Sequence, residues 1–406
     1  MQLINNKGIT APQGFLASGI HCGLKKNNLK LDLALIYSNV PATAAGIYTK
    51  NKVKGAPIYI TKDHLSNKKA QAIIINSGNA NTCNGEDGLA KAKKMTELQA
   101  KALKLKANDV LVASTGVIGI PLNIDAIKNG IPLLTERLSK DGYEDAATAI
   151  MTTDTYKKQL AFEFTIDDKK ITIGAMAKGS GMIEPNMGTM LSFITTDLNI
   201  SGEMLQEALK ESTKISYNRV SVDGDTSTND MVLVMANGLA NNKKIQEKDS
   251  NYYLFLEVLN TLNITLAKMI AKDGEGASKL IECIVYNTKS LKDAEVLSKS
   301  VINSPLVKTA IFGSDANWGR ILCALGYSGI NIDPNKVDLS FKSSVGIIDV
   351  CKGGMVLSFD EVKAKEILLN DEITIYINMN TGQYSSTAWG CDLSYDYVKI
   401  NGDYRS

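Results

Sequence analysis

Short apolar runs alternate with helical periodicities along this chain, and polar, glycine-bearing loops separate them. Continuous apolar runs, typical of buried strands, occupy residues 70–76, 109–114, 190–194, 230–238, 307–313 and 371–379. Apolar residues at helical spacing fall within 87–105, 201–216 and 252–271. Two more strand-like runs flank Asp167-Asp168 and predict a β-hairpin. Together these patterns predict a mixed α/β protein.

Six of the loops repeat Ser, Thr, Asn, Asp and Gly. They are residues 76–81, 114–116, 178–182, 223–230, 273–276 and 313–320. Any one of them is typical of an ordinary connection in an α/β protein. Their number predicts that they converge on one pocket lined by backbone amides and small hydroxyls. None has the glycine spacing of a P-loop or a dinucleotide-binding motif, so ATP and NAD are poor candidates as ligands.

Composition narrows the class of protein. The 406 residues are 44% hydrophobic, enough for a large core in two or three domains. A formal charge of +2 gives no sign of a surface that binds nucleic acid or membranes. No apolar run approaches the ~18 residues of a membrane-spanning helix. Six cysteines without a C-x-x-C pair, and no signal peptide, predict the reduced thiols of a cytoplasmic protein.

Histidine is scarce, which limits the possible chemistry. His21 and His64 are the only two, and we interpret both as structural or surface residues. We therefore expect no metal site and no catalytic triad built on histidine. Acid–base catalysis would need another group that titrates near neutrality. A free α-amino group, with a pKa of ~7.7–8.0, meets that need.

The segment 178–197, KGSGMIEPNMGTMLSFITTD, contains the place where such an amine could arise. Turn-forming residues lead up to Gly188, and a strand-like apolar run follows Thr189. If the chain cut itself at this bond, Thr189 would become an N-terminal nucleophile that carries its own base. This segment is therefore the candidate catalytic site.

The same segment resembles the ornithine acetyltransferase family of arginine biosynthesis, also called glutamate N-acetyltransferases. Further motifs occur in the family's order along the whole chain: NSGNAN, STGVIG, MTTDT, DGDTSTND, DGEGASK and GSDANWGR. The resemblance implies stacked sheets flanked by helices, with an architecture like that of self-cleaving N-terminal-nucleophile enzymes. It also implies self-cleavage into an α chain (1–188) and a β chain (189–406), which assemble as a dimer of αβ units, a heterotetramer. Gly188 stands where the family more usually has alanine, another small residue.

The resemblance also implies roles for individual residues. Thr189 would be the nucleophile, while Thr115 and Gly116 would stabilise the oxyanion, from a tight turn after a strand. The implied substrate contacts are Thr152, Lys178, Thr189, Glu275, Asn401 and Ser406. Lys178 suits a carboxylate and Glu275 an ammonium group. Without the resemblance, these two would be ordinary loop charges, and Thr115-Gly116 would merely end a strand.

The implied reaction moves the acetyl group of N2-acetylornithine to glutamate through an acetyl-threonine, in the cyclic pathway to arginine. We expect no cofactor, and it stays open whether acetyl-CoA serves as a second acetyl donor. One alternative is a self-processing aminopeptidase or amidohydrolase, which differs in passing the acyl group to water. A more distant alternative is a non-enzymatic binding protein, which would remain one polypeptide of 43.9 kDa.

Overall fold

The computed structural model describes residues 1–184 and 190–403. Within these residues the chain forms fifteen β-strands and eleven α-helices. The strands are β1 (Gln2–Leu3), β2 (Phe15–Ile20), β3 (Leu33–Tyr48), β4 (Lys69–Asn79), β5 (Val110–Val117), β6 (Lys158–Ile166), β7 (Lys169–Lys178), β8 (Leu191–Thr196), β9 (Met231–Ala236), β10 (Leu280–Thr288), β11 (Asp338–Ser343), β12 (Gly346–Lys352), β13 (Met355–Val356), β14 (Glu372–Asn378) and β15 (Tyr384–Cys391). The helices are α1 (Ala56–His64), α2 (Gly85–Leu103), α3 (Ile124–Glu136), α4 (Tyr143–Ala149), α5 (Gly202–Ile215), α6 (Ser250–Lys272), α7 (Leu291–Asn303), α8 (Pro305–Phe312), α9 (Trp318–Gly326), α10 (Glu361–Leu368) and α11 (Tyr395–Asp403).

Most of the predicted elements are present. The hairpin is β6–β7, with Asp167 and Asp168 both at positive φ in the turn. Helix α5 begins as predicted, because the Ser201 side chain accepts a hydrogen bond from the backbone of Met204. The other five predicted strands that the structure contains are β4, β5, β8, β9 and β14.

The prediction of a strand over residues 307–313 is wrong, because this run lies in helix α8. The Ser304 side chain accepts a hydrogen bond from the backbone of Val307, and Pro305 occupies the first helical position. These helix-start signals determine the structure, since a short apolar run fits a buried helix as well as a strand.

The larger sheet has nine strands in the order β1-β6-β7-β8-β9-β3-β4-β5, and β2 pairs with β3. The long strand β3 breaks register with β4 between Tyr37 and Ala42. Its first half pairs with β2 and β4, whereas its second half pairs with β9 and, at Ala42 and Thr43, still with β4. One apolar cluster joins side chains of β4 and β5, such as Ile73 and Leu111, to side chains of β8 and β9, such as Phe193. The two halves of the sheet therefore stack on each other, which confirms the predicted class.

Helices cover the outer faces of this stack. Helices α5 and α6 share an apolar core with β6 and β7, and α1, α2 and α3 share another with β3, β4 and β5. By length and composition, α6 is the one helix in the described chain that could cross a membrane, which corrects the prediction that no run approaches that length. Half of its most apolar stretch is buried inside the protein, as expected of a core helix.

The smaller sheet has six strands in the order β13-β12-β11-β14-β10-β15, all from the last third of the chain. Helices α7 to α10 pack against it around a separate apolar core. Helix α6 contacts β10 and β15, and so links this sheet to the larger one.

Several strands of the larger sheet end close to one another. Lys178, the last residue of β7, pairs with Leu191 at the start of β8, and Leu191 pairs with Met231 at the start of β9. The loops that leave these ends meet at a single edge of the sheet. This edge holds the candidate site.

Candidate active site

A cavity of about 280 Å³ opens at this edge. Six residues predicted to act in the site line it: Thr115, Gly116, Thr152, Lys178, Glu275 and Asn401. Three other predicted residues, Gly188, Thr189 and Ser406, lie outside the described residues. The cavity has the size of a pocket for one small organic molecule.

Five of the six polar loops contribute to the cavity wall, as predicted. No residue of the sixth loop, 313–320, is among the described residues that line the cavity. The prediction that all six loops converge is therefore wrong for this loop. Instead it begins helix α9, where the Asn317 side chain accepts a hydrogen bond from the backbone of Arg320.

Thr115 and Gly116 lie in the last residues of β5 rather than in a separate turn after it. They pair with Ser77 and Gly78 of β4, next to a register irregularity at Asn79. Gly116 has φ +130°, and a Cβ there would overlap the backbone of Gly78. Only glycine fits at this position, because the two strands approach too closely for a side chain.

Asn229 holds the ends of these two strands together. Its side-chain amide donates to the carbonyls of Ala80 (2.5 Å) and Ser114 (3.0 Å), just past β4 and within β5. Its side-chain oxygen accepts from the hydroxyls of Thr82 and Thr228, each at 2.6 Å. The backbone that precedes Thr115 is thereby fixed by a side chain from a distant segment.

Lys178 is buried at the end of β7, with 7% of its surface exposed. Its Nζ lies 3.9 Å from Oδ2 of Asp154, beyond hydrogen-bonding distance. Burial lowers the pKa of the Lys178 ammonium, whereas the nearby Asp154 carboxylate raises it. The Lys178 amine thus lines the cavity, and the Asp154 carboxylate attracts its charged form without a hydrogen bond.

Glu275 supplies the opposite charge from the loop that follows α6. One of its carboxylate oxygens accepts a hydrogen bond from Nδ2 of Asn401 at 2.8 Å, and its backbone N–H donates to the carbonyl of Ser180 at 3.0 Å. A Cβ at Gly181 would overlap the Glu275 carboxylate. The glycine therefore allows the carboxylate to approach the segment that follows Lys178.

The C-terminal helix α11 docks against this loop. Besides the Asn401–Glu275 hydrogen bond, the hydroxyl of Ser394, just before the helix, donates to the carbonyl of Gly276 at 2.5 Å. The Tyr397 hydroxyl lies 3.4 Å from the carboxylate of Asp223, a residue that also lines the cavity. The end of the described chain is thus part of the site.

Neither histidine lines the cavity. His64 is buried, with Nδ1 2.8 Å from the carbonyl of Val110, and His21 lies 3.0 Å from Asp32. Within residues 1–184 and 190–403, no three His, Cys, Asp or Glu side chains are grouped so that they could hold a metal ion. All six cysteines are free thiols in the structure.

Comparison with known proteins identifies the family. The model of the ArgJ family matches residues 16–406, nearly the whole chain. The chain belongs to the ArgJ family. The predicted resemblance is therefore confirmed, and with it the prediction of an acetyltransferase of arginine biosynthesis.

Similar ArgJ proteins match over their full length. "Arginine biosynthesis bifunctional protein ArgJ 1" of Clostridium acetobutylicum is 55% identical over 406 residues, which are 100% of this chain and 99% of that protein. The protein of the same name (without the numeral) from Caldanaerobacter subterraneus subsp. tengcongensis is 52% identical, over 100% of both chains. Among solved structures, the chain is similar to the crystal structure of arginine biosynthesis bifunctional protein argJ from Bacillus halodurans, with 46% sequence identity and a TM-score of 0.51. The match covers 53% of this chain and 100% of that chain.

Sequence reasoning missed several residues that shape this ArgJ site. Asp154, Asp273 and Asn229 all stand in the motifs that carried the resemblance, MTTDT, DGEGASK and DGDTSTND. None of them was singled out, because each acts through hydrogen bonds that form only in the folded chain. The signal was present in the motifs, but only the folded contacts reveal what it means.

Proposed function

We propose that this ArgJ-family enzyme moves the acetyl group of N2-acetylornithine to glutamate through an acetyl ester on Thr189. The observation that carries this proposal is the gathering of five separate segments, each expected to contact the substrate or the oxyanion, around one cavity. Lys178 and Glu275 offer the cation and the anion that suit the carboxylate and the ammonium group of an amino acid.

The reaction proceeds in two half-reactions. Thr189 Oγ attacks the acetyl carbonyl of acetylornithine, and its proton passes to the α-amino group of the same residue. The Thr115 hydroxyl and the Gly116 N–H donate to the oxyanion. When the C–N bond breaks, the α-amino group gives its proton to the departing nitrogen of ornithine, and Thr189 keeps the acetyl group as an ester.

In the second half-reaction, the amino group of glutamate attacks the ester carbonyl. The Thr189 α-amino group takes a proton from the attacking nitrogen and returns one to Thr189 Oγ as the ester bond breaks. N-acetylglutamate leaves, and the enzyme regains its free hydroxyl. No cofactor takes part in this sequence.

A free α-amino group on Thr189 requires cleavage of the Gly188–Thr189 bond. In this proposal the chain cuts itself into an α chain of 1–188 and a β chain of 189–406. The length of the Bacillus halodurans chain supports this cleavage, because the whole of that chain matches only 53% of this one. That share is close to the share of the chain that follows residue 188.

A denaturing gel and a donor–acceptor assay test the proposal together. The purified protein should give two bands, whereas Thr189→Ala should give one band of 43.9 kDa and no turnover. Thr189→Ser is the matched variant, which keeps a hydroxyl and should still be cleaved. A single uncut band from active wild-type protein would overturn the mechanism.

The assay identifies the acyl acceptor. Release of ornithine from acetylornithine should depend on added glutamate, with N-acetylglutamate formed in equal amount. Release at the same rate without glutamate would instead indicate an amidohydrolase. Acetyl-CoA in place of acetylornithine tests whether the enzyme accepts a second donor.

The assembly and the cellular location are parts of the same proposal. We expect a dimer of αβ units in the cytoplasm, acting on small-molecule substrates and not on nucleic acid or membranes. The near balance of 45 basic and 43 acidic residues supports the last point.

A further inference from the structure

Four charged side chains lie buried together behind the cavity wall. The side chains of Asp154 and Lys158 are 0% exposed, that of Asp273 is 2% exposed and that of Lys178 is 9% exposed. Of these four, only Lys178 lines the cavity. Buried charges are costly unless they are paired, so this group calls for a physical explanation.

Asp154 connects two of the segments that line the cavity. Its Oδ2 accepts from the backbone N–H of Thr152 at 3.0 Å, and its Oδ1 accepts from the backbone N–H of Gly179 at 2.7 Å. Gly179 directly follows Lys178. One carboxylate thus fixes the backbone at two predicted substrate contacts, at Thr152 itself and next to Lys178.

Lys158 extends the connection to a third segment. Its Nζ donates to Oδ1 of Asp154 at 2.8 Å and also to the carboxylate of Asp273. Asp273 lies two residues before Glu275 and accepts from the backbone N–H of Thr155 at 3.1 Å. The loop that carries Glu275 is therefore tied to the same group.

We infer that Asp154 is a positioning residue for the acetyl-transfer reaction, which holds Thr152, Lys178 and, through Lys158 and Asp273, Glu275 in one arrangement. The inference rests on the proposed function, since it assumes that these three residues bind the amino-acid substrate. Asp154 itself touches no substrate. It sets the distance between the cation and the anion that must meet the two charges of an amino acid.

The charge of Asp154 also favours the protonated form of Lys178. Burial alone would raise the pKa of Asp154, but Lys178 and Lys158 outweigh burial and hold that pKa below its ordinary value. Asp154 is therefore an anion throughout the neutral range. It opposes the effect of burial, which lowers the pKa of Lys178. The charged groups that act on the Lys178 amine are Asp154, Lys158, Glu275, Asp230 and Lys25.

The variant Asp154→Asn tests the inference, because it keeps the shape of the side chain and removes its charge. With the anion gone, Lys178 loses its proton at a lower pH. The alkaline limb of kcat/KM should therefore move to lower pH. At neutral pH, kcat/KM for acetylornithine should fall about 10- to 100-fold, mainly through a higher KM.

Asp197→Asn is the matched control. Asp197 is also fully buried and accepts two backbone hydrogen bonds, from Thr172 at 2.8 Å and Gln13 at 3.1 Å, but it does not line the cavity or join the group. It should keep the wild-type KM and alkaline limb. A merely structural role for Asp154 would make the two variants alike, with lower stability and unchanged pH dependence.

The outcomes separate the inference from the proposed function. Inactive wild-type protein would contradict the proposed function, whereas an Asp154→Asn enzyme that is cleaved and has the wild-type KM and pH profile would overturn the inference alone. If Asp154→Asn is not recovered folded and cleaved, Thr155→Val decides. It removes the hydroxyl that donates to Asp273 without altering a buried charge. A raised KM with an unshifted alkaline limb would support the inference, and wild-type kinetics would overturn it.

Discussion

Asn229 shows how much one side chain contributes to the geometry of this site. It donates to two carbonyls and accepts from two hydroxyls, so both hydrogens of its amide and both lone pairs of its oxygen are used. Its partners belong to three separate segments. The backbone before Thr115 therefore depends on a residue more than a hundred positions away.

We expect Asn229→Asp to lower kcat about 10- to 100-fold, because a carboxylate cannot donate to the carbonyls of Ala80 and Ser114. The proposed oxyanion donors next to Ser114 would then lose their fixed position. Steady-state kinetics on the cleaved protein measure the effect. Asn242→Asp is a suitable control, since Asn242 is likewise buried and bonded to backbone groups but does not line the cavity. Equal kcat values for the two variants would refute the role of Asn229.

At this scale, the sequence predicted residues expected to contact the substrate but not those that hold them in place. Lys178, Glu275 and Thr115 could be predicted because a resemblance assigns roles to motif positions. Asp154 and Asn229 could not, because their roles follow from which backbone groups lie within 3 Å in the folded chain. A motif shows that a residue is present, and only the fold supplies its partners.

Helix α11 shows at the level of an element how function and stability can separate. None of its residues is buried, yet Asn401 bonds to Glu275 and Tyr397 approaches Asp223. A helix that buries no residue adds little apolar stabilisation to the fold. Its contacts instead hold charged residues at the cavity.

A chain truncated after Ser394 should therefore lose most of its activity, with kcat/KM reduced about 100-fold or more, because Glu275 loses its Asn401 partner. Its thermal unfolding midpoint should stay within a few degrees of that of the full-length protein. Kinetics and thermal melts of both forms check this. Asn401→Ala should show part of the same loss, and full turnover by the truncated enzyme would remove α11 from the site.

Elements with long periodic patterns were predicted well, whereas a short apolar run was not. Helices α2, α5 and α6 match the sequence because many apolar positions define their period. Helix α8 was missed because seven residues do not define a period, and its start signals, Ser304 and Pro305, lie just outside the run. Local capping chemistry decided the structure where periodicity could not.

On the scale of the whole molecule, the proposed α and β chains share one sheet. Strands β8 and β9 follow residue 188, but they lie between β7 and β3, which precede it. β8 pairs with β7 from Leu191 to Thr196, and β9 pairs with β3 from Met231 to Ala236. This insertion could not be predicted from the sequence, because strand order depends on pairing between distant segments.

The two chains should consequently stay together after cleavage. Gel filtration in native buffer should give one species that contains both fragments in equal amount, even where a denaturing gel shows two bands. The hydrogen bonds along both sides of β8–β9 and the apolar core they share would have to break before the chains could part. Separate elution of the fragments without denaturant would contradict this arrangement.

The insertion of β8 and β9 also means that the protein would refold less easily after cleavage than before it. Before cleavage, an unfolded molecule can refold by itself, because both halves of the sheet belong to one polymer. Afterwards, two dissociated polymers must first find each other, so recovery becomes bimolecular and depends on protein concentration. The working enzyme then persists through the slowness of its unfolding rather than through a reversible equilibrium. Cleavage of one peptide bond would thus replace thermodynamic stability by kinetic stability as the property that keeps the enzyme folded.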